Sequence, residues 1–245
     1  MINSVRNTVL AVLNKNNYGY ISPSDFNLFA KQAQMELYEE YFSQYNKVVN
    51  MENARMSGTH YANLRKTIEE VLEVFSVTNN LTQDADNKYF LPSLLTTGNE
   101  AYMINKVLYS NGGKFTEVEK VNQSKITMLV NSNLTSPTKT FPCYSQEDGI
   151  ITIYPETIDG DEDIVAQYFR YPKDPKWTYI TLGNGAPIFN SSQPDYQDFE
   201  LPAEDEYKLI MKILQYCGVS IRENEVVQFG MAQEQHEQPT FSQQQ

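Results

Sequence analysis

Cysteine and histidine are scarce in this sequence, where each occurs only twice in 245 residues. Two cysteines, Cys143 and Cys217, are too few for a disulfide framework, so they are interpreted as small buried apolar residues. His60 opens a predicted helix and His236 lies in a polar tail. Neither histidine therefore stands in a recognisable catalytic arrangement.

Long hydrophobic runs are also missing. No window of the sequence approaches the length of a membrane span, and the opening MINSVRNTVLAVLNKNN does not form a secretion signal. We therefore expect no membrane partner. The protein is expected to stay in the cytoplasm where it is made, unless it leaves as part of an assembly.

Positive charge is in short supply, because 19 basic side chains face 31 acidic ones and the formal net charge is −12. Residues 1–80 hold 7 basic and 8 acidic side chains, and the remainder hold 12 and 23. Phosphate binding needs concentrated Lys and Arg, so tight nucleic-acid binding is not expected. The surplus of acids is typical of ordinary solubility.

The short motifs that mark many enzymes are missing too. The sequence has no G-x-S-x-G, and Gly183-Asn184-Gly185 lacks the lysine and the strand–helix context of a phosphate loop. We therefore expect no enzyme activity, no catalytic residue and no cofactor. A carboxylate-based hydrolase stays open as an alternative, because the paired acids of glycosidases carry no short signature.

The hydrophobic pattern predicts an α+β fold. Apolar residues repeat at helical spacing near both ends of the sequence, while the middle reads as extended segments separated by Gly and Pro. Helices are predicted at about 2–13, 23–49, 59–76 and 203–217, around a β-rich centre at about 102–189, with an extended tail at the end. A hairpin through Asn111-Gly112-Gly113, a short helix at 124–131 and strands at 150–154 and 164–171 are expected within the centre.

These elements suggest three regions. Residues 1–80 plus 203–225 would form a helical body, and residues 81–202 a β-rich region. Residues 228–245 are rich in Gln and nearly empty of aliphatic side chains. Such a tail is expected to be disordered unless it docks on a neighbour.

The stretch NKNNYGYISPSDFN has the spacing of a calcium-binding loop. Such loops need several carboxylates, usually including a bidentate Glu at the last position. Here Asp25 supplies the only one, so the metal candidates Asn14, Asn16 and Asp25 are rejected. Ser22 and Pro23 instead predict the capped start of a helix.

Two further clusters have competing interpretations. Asp159, Asp161 and Asp163 alternate as in a metal loop, but Arg170 stands where the closing Glu would fall, so we expect these carboxylates to point into water. Trp177, in YPKDPKWTY, suggests a host-surface glycan-recognition module. The competing interpretation is that its aromatic neighbours simply pack on the sheet.

Several stretches, taken together, resemble one family of virion proteins. They are ISPSDFNLFAKQAQMELYEEYF, IITIYPETID followed by YFRYPKDPKW, and DFELPAEDEYKLIMKILQYCGVSIRENEVVQFG. In this order they are similar to the ring, or head-to-tail connector, proteins of crAss-like short-tailed (podovirus-type) bacteriophages. The resemblance covers most of the sequence.

The resemblance implies a structural virion protein that forms a ring of about twelve copies in the portal–tail assembly. Its partners would be copies of itself, the portal and other tail ring proteins, and DNA would pass through the channel without tight binding. The protein would be made in the host bacterial cytoplasm and end in the virion. The tail would then contact a neighbour, with Gln228, Phe229, Met231 and Phe241 as the predicted interface residues.

Overall fold

The computed structural model describes residues 1–15, 21–55, 62–93, 98–160, 163–183 and 185–221. Its architecture is α+β, which confirms the predicted fold class. The helices are α1 (Ile2–Lys15), α2 (Pro23–Arg55), α3 (Ala62–Glu73), α4 (Gln123–Val130) and α5 (Glu206–Ile221), the last preceded by a 3-10 turn at Ala203–Asp205.

Three predicted helix ends are corrected. The C-terminal helix, predicted to end near 217, continues to Ile221. The second helix does not stop near residue 49 but continues to Arg55, because no Gly or Pro interrupts the chain before Gly58. The third ends at Glu73 rather than near 76, because Ser76 already begins a strand. The predicted short helix at 124–131 is confirmed as α4.

The start of α2 is built as its sequence predicts. Ser22 Oγ accepts a hydrogen bond from the backbone N–H of Asp25 at 3.1 Å and donates to the Asp25 carboxylate at 2.7 Å. The hydroxyl thus satisfies one of the first-turn N–H groups that lack a partner within the helix. The carboxylate also places negative charge at the positive end of the helix.

Ten strands complete the described fold. They are β1 (Ser76–Asn80), β2 (Gln83–Ala85), β3 (Lys88–Phe90), β4 (Ala101–Asn111), β5 (Lys114–Lys120), β6 (Cys143–Glu147), β7 (Ile150–Tyr154), β8 (Ile164–Arg170), β9 (Tyr179–Thr181) and β10 (Pro187–Phe189). Eight of them form one sheet in the order β1-β8-β4-β5-β6-β7-β3-β2, and β9 pairs with β10 alone. Within the large sheet only β5 and β6 run parallel.

The predicted hairpin is the β4–β5 pair. Gly112 and Gly113 make its turn, with φ angles of 59° and 86°, which glycine adopts without steric cost. The expected strands at 150–154 and 164–171 are β7 and β8, although these are not neighbours in the sheet. β8 lies between β1 and β4 instead.

The inner side chains of the large sheet form a contiguous apolar core. Aromatic and aliphatic residues from six of its strands contribute, and tyrosine hydroxyls at its margin find partners. Tyr89, for example, donates to the carbonyl of Gly160 at 2.9 Å. The buried members are Leu81, Tyr89, Val107, Tyr109, Val118, Tyr144, Ile151, Ile153, Ile158, Ile164, Ala166 and Tyr168.

The chain divides into two compact units. One comprises Met1–Val71 together with the stretch that begins at Pro172, and the other is Leu72–Tyr171. In the first, α5 packs on α1 and α2. The boundaries differ from the sequence-based ranges, because residues 172–202 group with the helices and not with the large sheet. The predicted tail, 228–245, lies outside the described residues.

Two carboxamide side chains of α2 explain why the segment after Pro172 joins the helices. Asn27 Oδ1 accepts the backbone N–H of Trp177 at 2.8 Å, and its Nδ2 donates to the carbonyl of the same residue at 3.3 Å. Gln34 likewise donates to the carbonyl of Lys173 at 2.8 Å and accepts the N–H of Glu200 at 3.1 Å. Each carboxamide thus pairs with backbone as another peptide group would.

Candidate functional site

The residues that gave the calcium-like spacing do not form a site in the described chain. Asn14 belongs to the last turn of α1, and the Asp25 carboxylate is engaged with Ser22 at the start of α2. Asn16 lies outside the described residues. Among the residues that the structure describes, no three His, Cys, Asp or Glu side chains cluster as a metal site would require.

The acidic turn between β7 and β8 is only partly described, since Asp161 falls outside. The Asp159 carbonyl accepts a hydrogen bond from Gln83 Nε2 at 2.8 Å, which ties the turn to β2. The Asp163 carboxylate lies close to Gly160. A Cβ atom at position 160 would lie only 2.2 Å from Asp163 Oδ2. These contacts give the turn a structural role.

Both cysteines are buried, as predicted. Burial raises the pKa of the Cys217 thiol to about 12, and it also raises the pKa of Cys143. Since the thiolate is the reactive form, neither side chain has the character of a nucleophile. His60 and His236 lie outside the described residues.

Trp177 is part of the core of the helical unit. Only 2 % of its surface is exposed, and its indole N–H donates to Asn3 Oδ1 at 3.0 Å. The guanidinium of Arg6 lies 3.8 Å from its ring centroid, which is a cation–π geometry. Tyr179 and Phe189 stack with the ring at centroid distances of 5.6 and 5.9 Å. A ring surrounded in this way offers no face to a sugar, so Trp177 itself gives no support to a glycan-recognition module.

The stacking on Trp177 fixes one face of the β9–β10 ribbon. The register pairs Tyr179 with Phe189 and Ile180 with Ile188. Because paired residues in an antiparallel ribbon share a face, Tyr179 and Phe189 both point towards Trp177, and the isoleucines point away from it.

The opposite face of the ribbon is apolar and exposed, and we call it the ribbon face. It consists of Ile180, Leu182 and Ile188, which are 54 %, 49 % and 45 % exposed. Single exposed apolar side chains are ordinary, but three adjacent ones on a short ribbon are typical of an interaction site. The tryptophan beneath holds the ribbon in place, so the ribbon face is presented on an ordered base.

The outer edge of β9 is open as well. Hydrogen bonds between Leu182 and Ala186 and between Asn190 and Thr178 set the pattern of the ribbon. In that pattern Tyr179 and Thr181 direct their N–H and C=O groups away from β10. No hydrogen bond within the described part of the chain occupies these outward groups.

A second exposed apolar set lies in the sheet unit, on α4 and the loop that follows it. Met128, Leu134 and Phe141 are all largely exposed. They are spread over a helix and a loop and lack the paired backbone that defines the ribbon. We therefore take the ribbon face as the better-defined candidate interaction site.

The sequence carries a signal for the ribbon. Two short apolar runs, YIT and PIF, flank LGNGA, a pattern typical of a hairpin. The predicted interface residues Gln228, Phe229, Met231 and Phe241 lie outside the described residues.

Comparisons with known proteins give no identification. No protein-family model matches the sequence, and no curated protein matches it significantly. Among the described residues, no helix has both the length and the apolar character needed to cross a bilayer.

Proposed function

We propose that this protein is a structural subunit of an oligomeric ring in the portal–tail (head-to-tail connector) assembly of a short-tailed bacteriophage. In this role it forms part of the channel through which genome and cargo leave the capsid. The observation that carries the proposal is the ribbon face, where Ile180, Leu182 and Ile188 are exposed on an ordered base. The family-like stretches of the sequence point in the same direction.

A ribbon face suits a ring because closed rings use heterologous contacts, in which one surface of a subunit meets a different surface of the next. Burying the exposed halves of three aliphatic side chains against a neighbour contributes about 2–4 kcal/mol in total, since complete removal of one such side chain from water contributes about 1.5–3 kcal/mol. On an isolated chain the same surface has no function in folding, because the core of the helical unit lies on the other side of the ribbon.

The charge of the protein agrees with a conduit for DNA. A formal net charge of −12 repels a polyanion, so DNA passing through the ring would not adhere to it. Interaction with the portal and with other tail rings would then depend on apolar and hydrogen-bonding surfaces.

Electron microscopy tests this proposal in two preparations. The first is concentrated full-length protein, for which closed rings of about twelve copies are the expected result. The second is the native particle, in which the protein should occupy one ring level below the portal. Presence in the particle supports the proposal even where the isolated protein is monomeric, because a ring can assemble on its portal. A chain that stays monomeric at high concentration and is missing from the particle overturns it.

A further inference from the structure

The β9–β10 ribbon has one edge that can accept another strand and one that is less suited to it. On β10 the outward positions are Pro187 and Phe189, and Pro187 has no N–H to donate. On β9 the outward positions are Tyr179 and Thr181, and both carry a donor and an acceptor. An added strand would therefore pair with β9.

We infer that the outer edge of β9 accepts residues 226–231 of a neighbouring copy as a third strand. This inference rests on the proposed ring function and names the contact that joins adjacent subunits. In the sequence the donated segment begins five residues after Ile221, the last residue of α5 that the structure describes. Strand addition of this kind is a recurrent mode of peptide recognition, in which main-chain hydrogen bonds contribute affinity and alternate side chains contribute specificity.

The sequence of the segment, VVQFGM, fits the ribbon face. In an extended chain alternate side chains share a face, so Val227, Phe229 and Met231 would lie together and Gln228 opposite them. Placed beside β9, the three apolar side chains would extend the ribbon face. Cross-strand contacts would then shield Ile180 from water.

The opposite face of the added strand gives a pair of positions for cross-linking. Gln228 would lie on the same side of the ribbon as Thr181, which is exposed. The native cysteines do not interfere, because Cys143 and Cys217 are buried. A cross-linker would therefore react with new cysteines at positions 181 and 228 in preference to the two native cysteines.

The test mixes two preparations of full-length protein at high concentration. One is isotope-labelled and carries Thr181→Cys, and the other is unlabelled and carries Gln228→Cys. After treatment with a short bismaleimide, mass spectrometry measures heavy–light adducts that join peptides containing the two positions. The matched control replaces Thr181→Cys by Asp84→Cys, an exposed position on the edge strand β2 of the other sheet.

The expected result is a mixed adduct for Thr181→Cys at least about tenfold above the Asp84→Cys control, because docking raises the effective concentration of the pair. A double variant, Thr181→Cys with Gln228→Cys, identifies self-docking: an adduct within one chain, without the mixed adduct, overturns the inference. Rings seen by microscopy in a sample whose own cross-linking gives no mixed adduct also overturn it and leave the proposed function standing. Absence of both the adduct and the rings, in solution and in the particle, overturns both.

Discussion

Asn27 holds the backbone of Trp177 through both ends of its carboxamide, with Oδ1 accepting the N–H at 2.8 Å and Nδ2 donating to the carbonyl at 3.3 Å. This pair joins positions 150 residues apart. These two hydrogen bonds fix the position of the Trp177 backbone, and the Trp177 ring lies beneath the ribbon. A single polar side chain on α2 therefore connects the helices to the candidate interaction site.

Replacing Asn27 by Ala should therefore destabilise the protein and loosen the ribbon together. Loss of the partner of a partly buried backbone N–H costs about 1–3 kcal/mol of unfolding free energy. Urea unfolding followed by tryptophan fluorescence measures this directly, because Trp177 is the one tryptophan of the chain. Gln32→Ala, at an exposed position of the same helix, is the matched control and should change stability by less than about 0.5 kcal/mol. Equal effects of the two substitutions would contradict the role given to Asn27.

Tyr41→Phe should destabilise the contact between α2 and the start of α5. The Tyr41 hydroxyl donates to Asp205 Oδ2 at 2.5 Å, and Asp205 is buried with Lys208 3.4 Å from its other oxygen. Removing the hydroxyl leaves a buried carboxylate with one donor fewer, at a cost of about 1–3 kcal/mol. Tyr45→Phe, at a partly exposed position one turn further along α2, controls for loss of a tyrosine hydroxyl.

The same tyrosine predicts a pH dependence at the alkaline end. Burial, followed by the hydrogen bond to Asp205, raises the pKa of Tyr41 well above its ordinary value of 10.0. A group whose pKa is raised in the folded state contributes stability at pH values below its pKa in the unfolded state. This contribution is lost as the pH rises through its pKa in the folded state. Wild-type stability should therefore decline more steeply above pH 10 than that of Tyr41→Phe, as measured by urea unfolding at stepped pH. Parallel declines would contradict this prediction.

Local signals predicted the elements that local chemistry determines. The Ser22 cap, the Gly112-Gly113 turn and the apolar stripes of the helices depend on residues a few positions apart. Strands β1, β2 and β3 were missed, because SVTNN and QDA are polar and lack the alternation that marks a half-buried strand and KYF is only three residues long. Their pairing is decided by partners far along the chain.

The grouping of residues 172–202 with the helices could not be read from the sequence for the same reason. Their Pro-rich, aromatic composition is typical of loops and strand ends, and it predicts that these residues belong to the β-rich region. What attaches them to α2 is Gln34, which bonds to Lys173 and Glu200, 139 and 166 residues away. A periodic sequence pattern does not predict a contact between residues so far apart in the chain. The ribbon face was equally hidden, because only the burial of Trp177 shows which face is left outside.

Asp198 should make stability depend on acid pH. Its carboxylate accepts the N–H groups of Ile2 at 2.7 Å and Phe199 at 2.8 Å, and the ammonium of Met1 lies 2.9 Å away. Burial acts to raise the pKa of Asp198, but the hydrogen bonds outweigh it and hold the pKa below 3.8. A carboxyl group whose pKa is lowered in the folded state contributes stability at pH values above its pKa in the unfolded state. This contribution is lost as the pH falls through its pKa in the folded state.

The variant Asp198→Asn tests the direction of this pH dependence. At neutral pH it should be less stable than the wild type, and the difference should shrink as pH falls below about 3.8. Urea unfolding at stepped pH provides the measurement. Asp174→Asn is the matched control, since Asp174 makes an exposed ion pair with Lys31 at 2.7 Å, and such pairs contribute little. A difference that stays constant down to pH 2 would show that the charge of Asp198 is not what stabilises the start of α1.

Ile180→Lys should weaken self-association while leaving the fold intact. The side chain is 54 % exposed, so its replacement should change the free energy of unfolding by less than about 0.5 kcal/mol. At an interface, in contrast, the variant loses the burial of the exposed half of Ile180, about 1 kcal/mol, and the lysine charge must also be taken out of water, so the contact should be at least about tenfold weaker. Sedimentation of concentrated protein and incorporation into the native particle both report this. Leu28→Lys places the same charge at another exposed aliphatic position, on α2, and should leave association unchanged. Equal loss of assembly in the two variants would assign the effect to added charge and not to the ribbon face, whereas loss in Ile180→Lys alone would assign it to that face.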